Sequence, residues 1–458
     1  MIRKLVCIQG LGFVGAAMAV AVAAARDKGE PIYDVVGVDL PTEQGLERIS
    51  SVNSGRFPFA TADDQLTEAA HQAHRIGNLR ATADPECYDE ADIIIVDVNF
   101  DVDLVRKSVD FDHFRAAIDT FASRMKPSAL VVIESTLPPG TCARVVAPQL
   151  NAAFVKRGIP EDSFLLAHSY ERVMPGANYL SSITNHWRVF SGHTPEAARR
   201  CREFLSSIIN VRDFPLTELH STTASEIAKI LENSYRAVNI AFMEEWGRFA
   251  ERAGVDLFQV IDAIRMRPTH SNIRQPGFGV GGYCLTKDPL LASIAAQSIF
   301  GIEDLSFHFS ESAVEINQRM PLVSLDRIET MLGGTLKDKL LLIMGVSYRE
   351  DVADTRHSPA ATFAIEAKRR GARISACDPM VRQWPELGIA VVSDLSEVPE
   401  VDGVIFAVPH QSFRKINMKQ WLSRRRPTVL DANNVLTDKQ REAIISAGCR
   451  FASIGRGN

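Results

Sequence analysis

Short, uninterrupted apolar runs alternate with helix-forming stretches along most of the chain. Lys4–Gln9 (KLVCIQ) is such a run and stops at glycines, and Ala16–Arg26 after it is helix-compatible. Tyr33–Asp39, Ala91–Val98, Ala129–Glu134 and Ser163–His168 repeat the short apolar type. Strands without polar alternation are covered on both faces, which predicts βαβ units around a parallel sheet. The character changes after Pro215. Thr222–Ala253 has no proline and one glycine, Gly247, and its apolar residues recur at spacings of three and four. This predicts one long helix, bent slightly near Gly247, with shorter helices before a glycine-rich stretch at Gly277–Gly282. Strand–helix alternation returns after residue 335, with strands expected at Lys339–Gly345, Ala372–Cys377, Gly403–Val408 and Thr428–Leu430. The expected plan is an α/β domain over residues 1–214, a helical middle over 215–320 and a second α/β domain over 321–458.

A chain of 458 residues is too long for one core, in keeping with that plan. Apolar content of 46% and charged content of 23% lie in the ordinary globular range. A net charge of -5 argues against a broad basic face for nucleic acid, though not against a local pocket for phosphates. The seven cysteines stand at 7, 87, 142, 201, 284, 377 and 449, without a CxxC pair. An odd, scattered set reads as reduced thiols of a reducing, cytoplasmic compartment, with no zinc site. Arg3 and Lys4 ahead of the run Leu5–Ala25 imitate a signal peptide, but Gly10, Gly12 and Gly15 break that run at a spacing with its own meaning. No other stretch is long and apolar enough to span a membrane.

That spacing is GxGxxG: Gly10, Gly12 and Gly15, with Leu11, Phe13 and Val14 between them. It follows an expected strand and opens an expected helix, so the glycines permit a tight turn, approach of a pyrophosphate and close helix–strand packing. The next strand, VVGV, ends in Asp39. A carboxylate there accepts bonds from the adenosine ribose diol and repels a 2′-phosphate, which favours NAD over NADP. The interval from Gly10 to Asp39 exceeds the usual twenty or so residues, and an extended turn around Asp27–Asp34 accounts for it.

The second chemical stretch is PGFGVGGYCLTKDP at 276–289. Its glycines let the backbone approach a ligand closely. Cys284 follows them directly; if it opens a helix, the helix N-terminus stabilises its thiolate, and Asp288 lies one turn along the same face. On the long helix, Lys229 and Asn233 are four apart, placed to donate together to a developing oxyanion. The plainer readings are a flexible loop beside an inert cysteine and a solvated helix face. His220, His270 and His308 have no partner pattern and read as structural.

Taken together these segments resemble the UDP-glucose/GDP-mannose dehydrogenase family over nearly the whole chain and in the same order. GLGFVG with Asp39 is similar to its cofactor site, and ESTLPPGT at 134–141 to its STVPPGT segment. HSYERVMPG at 168–176 is similar to its substrate strand, SEIAKILENSYRAVNIAFMEE at 225–245 to its central helix, and PGFGVGGYCLTKDP to its nucleophile loop. GVSYREDVADTRHSPA at 345–360 resembles the signature that opens its C-terminal nucleotide-binding domain.

The resemblance implies two Rossmann-like, doubly wound domains joined by a long central helix that also forms a homodimer interface. It implies an NAD-dependent oxidation of the C6 hydroxymethyl of a UDP-sugar to a uronate, for surface polysaccharide precursors. Cys284 is then the nucleophile, Lys229 and Asn233 stabilise oxyanions, Asp288 and Thr136 order the water, and Glu171 assists in acid–base work. Ser135 and Thr136 join the glycine turn at the cofactor. Glu171, Arg172, Val173, Lys229, Asn233, Arg236, Gly277, Phe278, Gly279, Gly281, Tyr348, Arg349 and Arg356 are the implied substrate contacts, with Ser358 in the same C-terminal signature. No metal is implied.

The sequence departs from the family pattern in places. Tyr348-Arg349 stands for the usual YK, and the substrate strand ends Met174-Pro175-Gly176 where the UDP-glucose enzymes have Arg-Glu-Gly. That end, with ENSYRAVNIAF, is closer to the UDP-N-acetylhexosamine branch, while the loop around Cys284 is closer to the UDP-glucose branch. Two other readings compete. A two-electron β-hydroxyacid dehydrogenase needs a lysine but no cysteine, and a non-catalytic nucleotide-sugar-binding protein needs neither.

Overall fold

The computed structural model describes residues 3–104 and 106–457. It resolves into two compact units, residues 1–231 with 291–306, and residues 232–290 with 307–458.

The first unit is built on eight strands: β1 (Lys4–Gln9), β2 (Tyr33–Val38), β3 (Leu79–Thr82), β4 (Ile93–Val96), β5 (Leu130–Ile133), β6 (Leu165–His168), β7 (Val189–Gly192) and β8 (Thr217–Glu218). Their order across the sheet is β8-β7-β6-β5-β4-β1-β2-β3, and all neighbours are parallel except β6 and β7. The chain moves outward from β1 to β3, then returns to lay β4 on the other side of β1. That reversal opens a crevice at the carboxyl ends of β1 and β4, where doubly wound sheets bind ligands. Helix Phe13–Ala24 (FVGAAMAVAVAA) is buried around most of its circumference, as an all-apolar helix must be. Hence the apolar run from Leu5 folds into the core as a strand, a turn and a helix. The long β1–β2 connection contains a two-stranded hairpin, Arg26–Asp27 against Glu30–Pro31, turning at Lys28 and Gly29, both with positive φ.

The second unit carries five parallel strands: β9 (Leu340–Met344), β10 (Arg373–Cys377), β11 (Gly403–Phe406), β12 (Thr428–Asp431) and β13 (Phe451–Ser453). Their order is β10-β9-β11-β12-β13, again with a reversal beside the first strand. One core packs helices His308–Met331 and Pro359–Arg369 on this sheet through Leu325, Ile328, Phe363 and Ala364. The long helix runs over Thr222–Ala253, as its pattern predicts. Gly247 has a packing reason, because a Cβ there would meet the Pro276 ring at 2.9 Å. Among the described residues no helix is long and apolar enough to cross a membrane.

Candidate active site

In the first unit, β1 delivers the chain into the glycine turn. A Cβ on Gly15 would lie 1.9 Å from the Gly10 carbonyl, so only glycine lets the helix begin this close to the strand. Gly12 caps helix Phe13–Ala24 and has no heavy atom within 4 Å of its would-be Cβ, which leaves the side of the helix N-terminus open to a pyrophosphate. Phe13 is held from behind, stacked on Phe59 at 4.1 Å, with its carbonyl accepting from Tyr179 Oη at 2.6 Å. Val14 is half-buried. These residues fit a dinucleotide.

Asp39 accepts from Leu11 N at 3.3 Å and Leu40 N at 2.8 Å, and pairs with Arg48 at 2.9 Å. Arg48 was not legible as a site residue: it sits nine residues on, in helix Glu43–Asn53, with no motif around it. Its position bears on cofactor choice, since an arginine near this acid is how a 2′-phosphate is accommodated once the acid is gone. Asp39→Ala is therefore expected to release Arg48 and to shrink the NAD-over-NADP ratio of kcat/KM by roughly tenfold or more. Steady-state kinetics with both cofactors checks this; an unchanged ratio would show that Asp39 does not set the preference.

Ser135 turns inward. Its hydroxyl, with one proton to give, lies 3.1 and 2.8 Å from the carbonyls of Val96 and Val98 and accepts from Val98 N at 2.9 Å, so it ties the ends of β4 and β5 together. Thr136 is half-buried beside it. The turn after Thr136 is anchored by Glu226 of the long helix, whose carboxylate accepts from Gly140 N at 2.6 Å and Cys142 N at 2.8 Å. Burial pushes the Glu226 carboxyl up to about 7. One turn along the helix, Lys229 Nζ donates to the Glu171 carbonyl at 2.9 Å, stands 3.5 Å from Glu171 Oε1, and lies 5.4 Å over the Tyr170 ring. Glu171 folds back, its other oxygen accepting from Val173 N. Arg172 donates to the Trp187 carbonyl at 2.6 Å. His168 beneath them is buried, bonded to Ser225 Oγ at 2.6 Å, and burial and then the Lys229 charge hold its imidazole down to about 3.

Behind this group lies a charge cluster that no motif announced. Arg188, just ahead of β7, pairs with Glu134 at 3.0 Å, with both side chains nearly inaccessible. Asp97, directly after β4, is half-buried, with its Oδ2 shut away from solvent. Burial and then the neighbouring Glu134 and Glu171 hold Asp97 well above the usual carboxyl range. Burial also raises Glu134, against the pull of Arg188.

The second unit holds the thiol. Cys284 is exposed, in a turn directly after the glycine loop. It does not open a regular α-helix. Asp288 N donates to the Cys284 carbonyl at 2.9 Å, one helical turn, but Pro289 has no N–H to continue the ladder and the α-helix begins at Leu291. The Asp288 carboxylate is buried and bonded to Asn233 Nδ2 at 2.8 Å and Lys287 Nζ at 3.0 Å. Arg236, farther along the helix, is exposed.

The loop's glycines approach protein atoms. A Cβ on Gly281 would come within 2.5 Å of the His357 carbonyl, and one on Gly282 within 3.0 Å of the Tyr348 ring. Gly277 abuts Asn433 and Gly279 abuts Asn317 in the same way. Asn317 grips the loop by accepting from Val280 N at 2.8 Å and donating to its carbonyl at 2.7 Å. Phe278 is buried against Phe363, which leaves only its backbone for a ligand. Arg356 is bound bidentately by Asp354 at 2.9 and 2.8 Å and lies 5.2 Å over the Tyr283 ring, beside the thiol's own turn. Burial pushes the Tyr348 phenol up to about 12, and the Asp354 and Cys284 charges add to this. Arg349 is half-buried, 3.6 Å from Glu350. Ser358 caps helix Pro359–Arg369.

A glycine turn at the reversal of a parallel sheet, with an acid at the end of the next strand, is how NAD-dependent oxidoreductases hold their cofactor, and the first unit defines that class. Residues 4–209 match the NAD binding domain of the UDP-glucose/GDP-mannose dehydrogenase family, 223–319 its central domain and 342–438 its UDP binding domain. The chain belongs to this family and is an NAD-dependent nucleotide-sugar dehydrogenase. It is 29% identical to a UDP-N-acetyl-D-mannosamine dehydrogenase of Pyrococcus horikoshii over 99% of both chains. It is 28% identical to an NDP-N-acetyl-D-galactosaminuronic acid dehydrogenase of Ralstonia nicotianae, over 95% of this chain and 97% of that one. Among solved structures, a UDP-D-ManNAc dehydrogenase from Pyrococcus horikoshii superposes with a TM-score of 0.84 at 27% identity, covering 99% of this chain and 100% of that one.

Proposed function

We propose that this enzyme oxidises the C6 hydroxymethyl of a UDP-N-acetylhexosamine to the uronate in two two-electron steps, with Cys284 as covalent nucleophile, to supply surface polysaccharide precursors from the cytoplasm. The relatives named for N-acetylmannosamine and N-acetylgalactosaminuronic acid support the acetamido sugar. UDP-glucose is the second reading, favoured by the sequence of the loop around Cys284. The seven thiols support a reducing compartment. The observation that supports the mechanism is the Asn233–Asp288 bond, with Asp288 N bonded to the Cys284 carbonyl one turn back in the chain.

NAD supplies a two-electron acceptor at each step. The chain's residues do the rest. Lys229, nearly buried and held by Glu171, and Asn233, four residues along the helix, donate to oxygen as negative charge develops on it. The Cys284 sulfur adds to the aldehyde carbon, which makes the tetrahedral centre that the second oxidation requires. A thioester results, and water, with Asp288 and Thr136 as its ordering groups, attacks its carbonyl and releases the acid. Glu171 takes part in the proton transfers. The residues implied for the nucleotide lie at 345–358, and the functional division we propose is NAD binding over 1–214, dimerisation over 215–320 and UDP binding over 321–458. A panel of UDP- and GDP-sugars, scored by NADH formed per sugar, tests the reading. Two NADH per UDP-N-acetylhexosamine is expected; one or none overturns it, and activity with UDP-glucose alone reassigns the sugar.

The long helix supports a homodimer. Ile227, Leu231, Tyr235, Phe242, Trp246 and Phe249 form an exposed apolar stripe along it, with Leu231 at 65% and Phe249 at 64% accessibility. Light scattering is expected to give twice the 50.5 kDa chain mass, or a multiple of that, at micromolar concentration. Leu231→Asp with Trp246→Asp should give monomers. A wild-type monomer contradicts the proposal.

A further inference from the structure

Cys7 and Cys87 are 80 residues apart in sequence and meet in the first unit. Cys7 is in the middle of β1, fully buried. Cys87 is half-buried in the 3-10 turn Pro85–Tyr88 that follows β3. The Cys7 Sγ stands 3.4 Å from the Cys87 carbonyl oxygen, so the buried thiol sits against the backbone of the other cysteine. That contact shifts them in opposite directions. The hydrogen bond from Cys7 and, after it, the positive charge of Arg80 lower the Cys87 thiol, whereas its bond to Cys87 and burial raise Cys7. Cys142 and Cys201 contrast with Cys87, being fully buried and pushed up mainly by burial. A half-buried thiol biased toward thiolate beside a fully buried protonated one is the arrangement of an attacking cysteine with its resolving partner.

We propose that Cys7 and Cys87 form a hydroperoxide-oxidisable dithiol in the NAD-binding unit, separate from the nucleophile loop. The Cys87 thiolate attacks one oxygen of the hydroperoxide and the O–O bond breaks. The departing oxygen leaves as an alcohol, or as water when the oxidant is hydrogen peroxide, and Cys87 becomes a sulfenic acid. The Cys7 sulfur then attacks the Cys87 sulfur, the S–O bond breaks, and the hydroxide leaves as water with the Cys7 proton. In sum the two thiols lose two hydrogens and two electrons, and one hydroperoxide is reduced. Cys7 stands three residues ahead of Gly10, so the bond would tie the strand that delivers the glycine turn to the segment after β3.

The experiment treats the full-length protein with hydrogen peroxide, blocks remaining thiols, and maps peptides under non-reducing conditions. A Cys7–Cys87 cross-linked peptide that dithiothreitol abolishes is expected. In Cys7→Ala the sulfenic acid has no resolving partner, so trapping of Cys87 by dimedone should rise about tenfold or more over wild type. In Cys87→Ser, buried Cys7 should stay unmodified. Dimedone trapping of Cys87 equal in wild type and Cys7→Ala, or peroxide oxidation of Cys284 with Cys87 untouched, would overturn the proposal. The wild-type cross-link decides the matter even if a variant folds poorly.

Discussion

Cys284→Ala is expected to lower turnover by on the order of a thousandfold or more, while folding and NAD binding persist. The reason is chemical. An aldehyde carbon cannot give up electrons to an acceptor until a nucleophile has made it tetrahedral, and the thiol of Cys284 is the group exposed at the head of its loop. The loop's shape comes from elsewhere: Asn317 holds Val280, and Tyr348 and His357 hold Gly281 and Gly282. Losing the sulfur should therefore leave the loop in place. Cys284→Ser should behave differently. Its hydroxyl can add to the aldehyde, but the resulting ester hydrolyses slowly, so intact-mass spectrometry after substrate and NAD should show an added sugar-nucleotide mass. Near-normal uronate production by Cys284→Ala would end the covalent mechanism and leave Cys284 as a small residue in a crowded turn.

Arg188→Met is expected to cost about 3–5 kcal/mol of stability at neutral pH, through the charge it leaves behind rather than the contact it removes. Wild-type Arg188 faces Glu134 at 3.0 Å, both inaccessible to water, and the half-buried Asp97 adds its charge to the same group. Burial raises both carboxyls in the folded chain. A carboxyl raised on folding favours the folded state at pH values below its unfolded pKa, and that advantage is lost as pH rises through the folded value. Without the arginine both carboxyls must rise further. The variant should thus lose most at pH 8 and less at pH 5, a difference visible in Tm. The double variant with Glu134→Gln removes the orphaned charge and should recover a large part of the loss. Additive losses, or a Tm deficit independent of pH, would mean that Arg188 acts by packing alone.

What the sequence by itself determined is what local rules control. The bounds of β1 and of the long helix follow from apolar runs and three–four spacing, and both match the structure residue for residue. GxGxxG and the acid of Asp39 are equally local, because the strand–turn–helix–strand context that gives them meaning is contiguous in the chain. The family was legible for the same reason, through motifs read in order.

Tertiary structure alone decided where polar groups of distant segments meet. Arg48 on Asp39, Asn317 on Val280, Asp288 on Asn233 and Cys7 on Cys87 join residues whose neighbours in sequence carry no sign of the partner. The glycines at 277–282 read as room for a ligand, and the fold also presses them against Tyr348, His357 and Asn433. Pro289, visible in the sequence, delayed the helix expected at Cys284, because removing one N–H stops the ladder at that point. The cluster of Asp97, Glu134 and Arg188 was the least legible. Charged residues read as surface in a sequence, and only a sheet whose strand ends converge with β7 can bring Glu134 and Arg188 together out of water, with Asp97 half-buried near them.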